Sequence, residues 1–326
     1  MPSLRWMADS LRSSWYRSRR VERVAHLVAV LLLLSGLIHL AVLALGGGTW
    51  MGPLSLRKPT TFGLSFGFTL MTIAWTSSCL RLGDRARAML LGNFTAACVM
   101  ETGLVSLQAW RGVPSHFNME TTFDGLVTRM LAAGGITLVA IIAVMTLASF
   151  RSNPALPTGL RIAIRIGFGT LFSSMVVGAL MIASGIALVV AGDPQAAYAT
   201  GGTLKPTHAV TMHAILVLPL LAWLLSMTDW NERRQLRILF LATAGYAVFA
   251  GVVAIGNFAG WEPGRIPSAT IAIAAAGLML LIAAGILALV GVVRSSAGFV
   301  PRLRAPAPPP DAPARLATDD VARAPQ

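Results

Sequence analysis

The residues able to do chemistry in this chain gather toward one side of its apolar runs. His39, Glu101 and His213 are embedded within long apolar segments, and Lys58, Gln108, Arg111, His116, Asn118 and His208 lie around the ends of those segments. Neutral imidazole with carboxylate support suits a transition metal or haem, so His39 and His213 are the candidate metal ligands. Glu101, His116 and Arg111 are the candidate catalytic groups, with His116 as a ligand or a general base. Lys58, Gln108, Asn118 and His208 are the candidate ligand-binding groups. Glu101 and Gln108 are seven apart and share one helical face. His208 and His213 are five apart and point about 140° from one another on a regular helix, so they do not clamp one ion. His213 is the deeper of the two and the site candidate; His208 is a rim residue or a hydrogen-bonded surface histidine. Plain structural roles stand beside these. Thr121 with Asp124 reads as a capping box for the following helix. Arg111 reads equally as a snorkelling anchor, with Trp110 in the interfacial aromatic belt.

These groups must be held by a very apolar scaffold. Of 326 residues, 55% are hydrophobic and only 12% charged, against about 25% charged in a soluble domain. Too little polar surface remains to solvate a globule. A cytosolic enzyme, a disordered protein and a nucleic-acid-binding domain are excluded, and the net charge of +13 is read as membrane topology. Cys79 and Cys98 lie in apolar runs without metal-ligand spacing and read as inert packing residues.

A bilayer core needs about 20 apolar residues per helix. Eight segments qualify: 24–45, 59–80, 88–110, 124–150, 162–191, 206–228, 235–258 and 267–293. The fold class is all-α integral membrane with eight transmembrane helices. Arginines concentrate before span 1, between spans 2 and 3, 4 and 5, 6 and 7, and after span 8. This places both termini in the cytoplasm, with the lipid bilayer as the main partner. Residues 1–23 read as a basic amphipathic lead on the anionic leaflet, and residues 295–326 as a disordered Pro/Ala-rich tail. At 1.5 Å per residue, His39, Glu101 and His213 fall roughly 9–14 Å below the outer ends of their spans. One outer-leaflet cavity, roofed by residues 111–124, is the expectation. Gly63 and Gly67 in span 2 offer a small-residue face for a homo- or hetero-oligomer.

The chain also carries an internal repeat. Its two lysines sit in the same tripeptide, Lys58-Pro59-Thr60 and Lys205-Pro206-Thr207, 147 positions apart. Ser35-Gly36-Leu37 and Ser184-Gly185-Ile186 match at 149, and residues 102–112 match 250–260 at 148. Two parallel four-helix repeats follow, residues 24–150 and 151–294, related by an axis along the membrane normal. Proline just inside each K-P-T marks equivalent helix starts.

The stretches KPTTFGLSFGF (58–68), ETGLVSLQAWRGVPSHFN (101–118) and KPTHAVTMHAILVLP (205–219) resemble a family of bacterial multi-pass membrane proteins. That family has K-P-x-x-F-x-x-S, Q-x-x-R-G-x-x-S-H-F-N and H-x4-H-x5-P motifs. The resemblance supports the choice of residues and implies no reaction. Leu216 stands here where such relatives often have Gln. Two parallel four-helix halves are also similar in architecture to haem A synthase, which keeps a histidine pair in each half. The counterparts of His208, His213 and His39 here are Thr61, Phe66 and Leu188, so the likeness does not extend to bis-histidine haem in each half. Three functions stay open: a metal- or haem-binding redox protein with its site near the outer face, a small-molecule transporter, and an accessory or sensory subunit.

Overall fold

The computed structural model describes residues 12, 15, 16, 18–50, 52, 54–199, 204–261 and 265–295. The basic lead and the Pro/Ala-rich tail lie largely outside them. The described residues form helices without strands: α1 (Arg20–Leu45), α2 (Arg57–Cys79), α3 (Asp84–Trp110), α4 (Thr122–Ser149), α5 (Thr158–Val190), α6 (Pro194–Ala199), α7 (Lys205–Ser226), α8 (Glu232–Phe258) and α9 (Ser268–Arg294). Apart from the six-residue α6, each corresponds to one expected span, with ends within a few residues.

Seven of the helices are long and apolar enough to cross a membrane. The one long helix left out is α2, which carries Arg57, Lys58 and a series of Ser and Thr residues along its 23 positions. Its surroundings account for this. It packs against α1, α3 and α7, and Thr60, Thr69, Thr76 and Ser77 are buried. A helix enclosed by other helices does not meet lipid on every side, so its composition is free to be polar. Thr60 and Thr76 donate to the carbonyls of Leu56 and Thr72, four residues back.

Small residues set the closest approaches. A Cβ at Gly63 would fall 2.6 Å from the backbone N and Cα of Gly36, and one at Gly67 would fall 2.6 Å from Leu33 Cγ. The expected oligomer face at Gly63 and Gly67 is therefore corrected: α1 of the same chain occupies it. On the other side, α8 meets α9 where Gly245 and Gly277 pack on one another's carbonyls. Between helices already in lipid, close van der Waals contact replaces the hydrophobic effect as the driving term. The buried core runs through Ile73, Leu91, Phe168, Ile215, Leu218 and Leu239.

The end of the bundle where α2 finishes and α3 begins is sewn by arginine. Arg87 is buried and donates to the carbonyl oxygens of Ser77, Leu80 and Leu82, where α2 ends. Its guanidinium lies 3.9 Å from buried Glu22, and Arg19 joins Glu22 to Asp84 at 3.5 and 2.7 Å. A cation over the last carbonyls of a helix also complements its dipole. Asn153 donates to Cys79 O at 2.9 Å, tying the α4–α5 connection to the same end.

Glycine substitutions separate the close approaches from open surface. Gly63→Ala should lower the melting temperature in detergent, because backbone of α1 blocks the new methyl; overpacking of this kind typically costs about 1–3 kcal/mol. Gly103→Ala meets nothing within 4 Å and should be neutral or stabilising by up to about 1 kcal/mol, the propensity difference of an exposed helix.

Candidate functional site

At the C-terminal end of α3 the chain turns on Gly112, whose φ of 67° suits glycine, and then folds back toward α4. A compact knot closes this turn. Arg111 donates to Asp124 Oδ1 at 2.5 Å and to Gln108 Oε1, while Gln108 Nε2 donates to Asp124 Oδ1 at 2.9 Å. Thr121 Oγ1 donates to Asp124 Oδ2 at 2.6 Å and accepts from the Asp124 amide at 3.1 Å. Thr121 is thus the cap of α4, as the spacing predicts. Arg111 also stacks over Phe123, 4.7 Å from the ring centre. Arg111 and Gln108 are therefore spent on joining α3 to α4.

A second cluster lies beside the knot. Lys58 Nζ donates to Ser115 Oγ at 3.3 Å, and Ser115 Oγ is 3.0 Å from His116 Nδ1. The ammonium can only donate, so the serine proton is left to donate to an unprotonated His116 Nδ1. His116 packs between the rings of Phe62 and Phe117. Burial, then the charge of Lys58, lower the His116 pKa to about 3. Lys58 in turn lies within electrostatic reach of Lys205 and Arg57, and Lys205 within reach of Arg57. Arg57 Nε is buried without a hydrogen-bond partner. Among the described residues, no carboxylate pairs with any of these three cations.

The loop reaches across to α5 and α6. Phe117 adopts φ 64°, a left-handed backbone that a bulky residue rarely takes, and its ring presses into the notch of Gly185 on α5. Tyr198 on α6 hydrogen-bonds Glu120. Asn118 is fully buried. Its Oδ1 accepts from the Glu120 amide at 3.0 Å, its carbonyl accepts from Thr128 at 2.9 Å, and its Nδ2 has no partner.

The remaining candidates go to separate places. His39 Nδ1 donates to Ser35 O at 2.7 Å, and its Nε2 accepts from Trp110 Nε1 at 3.0 Å. Both ring nitrogens are engaged, so His39 has no lone pair to offer a metal. His213 Nδ1 donates to Ala209 O on its own helix. His208 Nδ1 is 2.8 Å from Ser174 O on α5, and Ser174 Oγ donates to His208 O at 2.9 Å, the hydrogen-bonded alternative for this residue. Glu101 points at Gly134 of α4. The expectation of one cavity shared by His39, Glu101 and His213 is corrected in this respect: His39 bonds Ser35 and Trp110, His213 bonds Ala209, and Glu101 lies against Gly134 with its Oε1 unpartnered, so no polar contact joins the three. Among the described residues, no group of three His, Cys, Asp or Glu side chains could hold a metal ion. Cys79 and Cys98 are both free thiols.

Sequence reasoning had Lys58 in the layer but did not join it to Lys205 and Arg57. The paired K-P-T tripeptides were the available signal. Nothing in the sequence marked the partnership of Phe117 with Gly185 or of Trp110 with His39.

Seven membrane-length apolar helices, packed so that many of their large apolar side chains face outward, define a multi-pass helical membrane protein. No family model, curated protein or solved structure matches the chain.

Two outcomes test the cap between α3 and α4. Thr121→Ala removes the α4 cap and should cost about 1 kcal/mol in a detergent melt. His116 is depressed from 6.5 to about 3, so the unfolded chain binds its proton first. Stability from the neutral ring is complete above pH 6.5 and is lost as pH falls toward 3. His116→Gln should therefore melt with a smaller drop between pH 7 and pH 5 than the wild type; equal drops would contradict the assignment.

Proposed function

We propose that this protein spans the bacterial cytoplasmic membrane eight times with both termini cytoplasmic, and binds a small anionic ligand at its outer rim, where two four-helix halves meet. The carrying observation is the convergence of Arg57, Lys58 and Lys205 without a carboxylate partner among the described residues. Three cations held together repel one another, and an anion relieves that repulsion. The Arg57 fork, the two ammonium groups and the Ser115 hydroxyl suit the oxygens of a carboxylate or phosphate. Lys58 keeps the ligand-binding role that the sequence suggested, while the metal or haem reading of the same layer draws no support from the engaged nitrogens of His39.

The duplication is part of the proposal. The packing order supports it: α1 on α2, α2 on α3 and α3 on α4 in one half; α5 on α7, α7 on α8 and α8 on α9 in the other. Lys58 and Lys205 stand at the first turns of α2 and α7, which touch between the halves. Both halves therefore contribute to one basic mouth.

Calorimetric titration of the purified protein in lipid nanodiscs with inorganic phosphate and with succinate is the direct test. At least one should bind saturably. Lys58→Ala and Lys205→Ala should each weaken binding at least about tenfold, or 1.4 kcal/mol, while Arg165→Ala at the opposite end leaves it unchanged. Absence of saturable binding, or wild-type affinity in both lysine variants, would refute the site. A visible absorption band with stoichiometric metal in the same preparation would favour the haem reading instead.

A further inference from the structure

Glu101 stands apart from the cations at both ends of the bundle. It is 4% exposed, and its Oε1 has no hydrogen-bond partner. The carboxyl group fills a notch left by Gly134: a Cβ there would fall 2.4 Å from Oε1 and 2.7 Å from Met100 Cε. Val105 on α3 and Val127 and Leu131 on α4 form a closed apolar cluster with Phe62 and Leu104. Along both helices this cluster lies between the notch and the Arg111–Asp124 knot, so that guanidinium is cut off from Glu101.

The titratable groups on the helices packed against α3 lie elsewhere. On α4 they are Asp124, held by Arg111, and Arg129, which donates to Gly125 O. On α2 they are Arg57 and Lys58 at the outer start and Cys79 at the inner end. On α1 they are Arg20, Glu22, Arg23 and His26 toward the inner end, and His39 capped by Trp110. On α3 itself, Asp84, Arg85 and Arg87 lie at the inner end, and the Cys98 thiol lies one turn before Glu101. Among the described residues Glu101 forms no ion pair. A carboxylate buried in an apolar seam with no cation is strongly disfavoured relative to the acid.

We infer that Glu101 is a proton-binding site within the membrane, its carboxyl group held as the acid in the notch between α3 and α4. This inference is independent of the anion site. A membrane-embedded acid of this kind takes a hydrophobic carbodiimide. The acid O–H adds across one N=C bond: the carboxyl oxygen bonds to the central carbon and the proton goes to nitrogen. Acyl migration from oxygen to nitrogen then gives a stable N-acylurea, and nothing leaves.

The experiment treats the full-length protein in membranes with dicyclohexylcarbodiimide across a pH series and maps the modified peptides. The peptide bearing Glu101 should gain the whole reagent, with a yield that falls as pH rises. A water-soluble carbodiimide with an added amine should modify exposed Asp84 and Glu120 but not Glu101. Infrared spectra at neutral pH should show a protonated-carboxyl band that Glu101→Gln removes. The inference is overturned if Glu101 stays unmodified at every pH, if the water-soluble reagent reaches it equally well, or if a folded Glu101→Gln keeps the band. Mapping uses the wild-type chain, so the outcome does not depend on a variant folding, and phosphate or succinate binding does not enter it.

Discussion

A polar group carried into hydrocarbon has no water to bond, so it must find its partner inside the chain. That constraint organises both ends of this bundle. Arg87 enters one end by taking the carbonyls that finish α2 and by standing beside Glu22. Arg111 stays at the other end by closing on Asp124 and Gln108. His39 is buried because Ser35 and Trp110 use both its nitrogens. Thr76, Thr95 and Thr243 return their hydroxyls to carbonyls one turn back. Against this background, buried atoms without a hydrogen-bond partner become informative, among them Glu101 Oε1, Arg57 Nε and Asn118 Nδ2.

The same constraint shapes the position of α2. It has the most hydroxyls and two cations at its start, and it is the helix that meets α1, α3 and α7. Gly63 lets α1 approach to backbone contact, which shields one side of it. A lipid-facing helix could not carry this composition, and an enclosed one can. Lys58 therefore reaches the mouth of the bundle on a helix gripped from several directions, which fixes where its ammonium group sits. Lys205 arrives from the neighbouring helix α7.

The all-helical multi-pass class and the helix ends were legible because they depend on runs of about 20 apolar residues, a local property. The Thr121 cap was legible because a capping box is contained within four residues. Counting along the helices also placed Gln108, Arg111 and Asp124 near one helix end, and they do meet where α3 turns to α4. Depth alone cannot tell which way a side chain points. His39 and Glu101 share a layer in the sequence reading, yet helix rotation turns one to Trp110 and the other to Gly134. The Gly63 and Gly67 face was legible as a packing surface, but the sequence did not say whether its partner was another chain or α1. Phe117 with Gly185 was not legible, since neither residue is unusual until the loop is placed over α5.

That loop is where the two ends of the sequence argument meet. It leaves α3, is anchored by Thr121 and Asp124 to α4, and then sends Phe117 and Glu120 to α5 and α6. A left-handed phenylalanine is unfavourable by roughly 1–3 kcal/mol and persists only where its surroundings over-determine it. Here the ring in the Gly185 notch supplies that determination. Ser115 and His116 precede Phe117 directly, so the seating of that ring sets the position of the hydroxyl that receives Lys58 and of the imidazole beside it. Any change in spacing between α5 and α2 must therefore move the Ser115–His116 pair relative to Lys58. The basic mouth is coupled by covalent connection to the packing of the loop on α5, and a ligand that prefers one arrangement of the cations would bias that packing in turn.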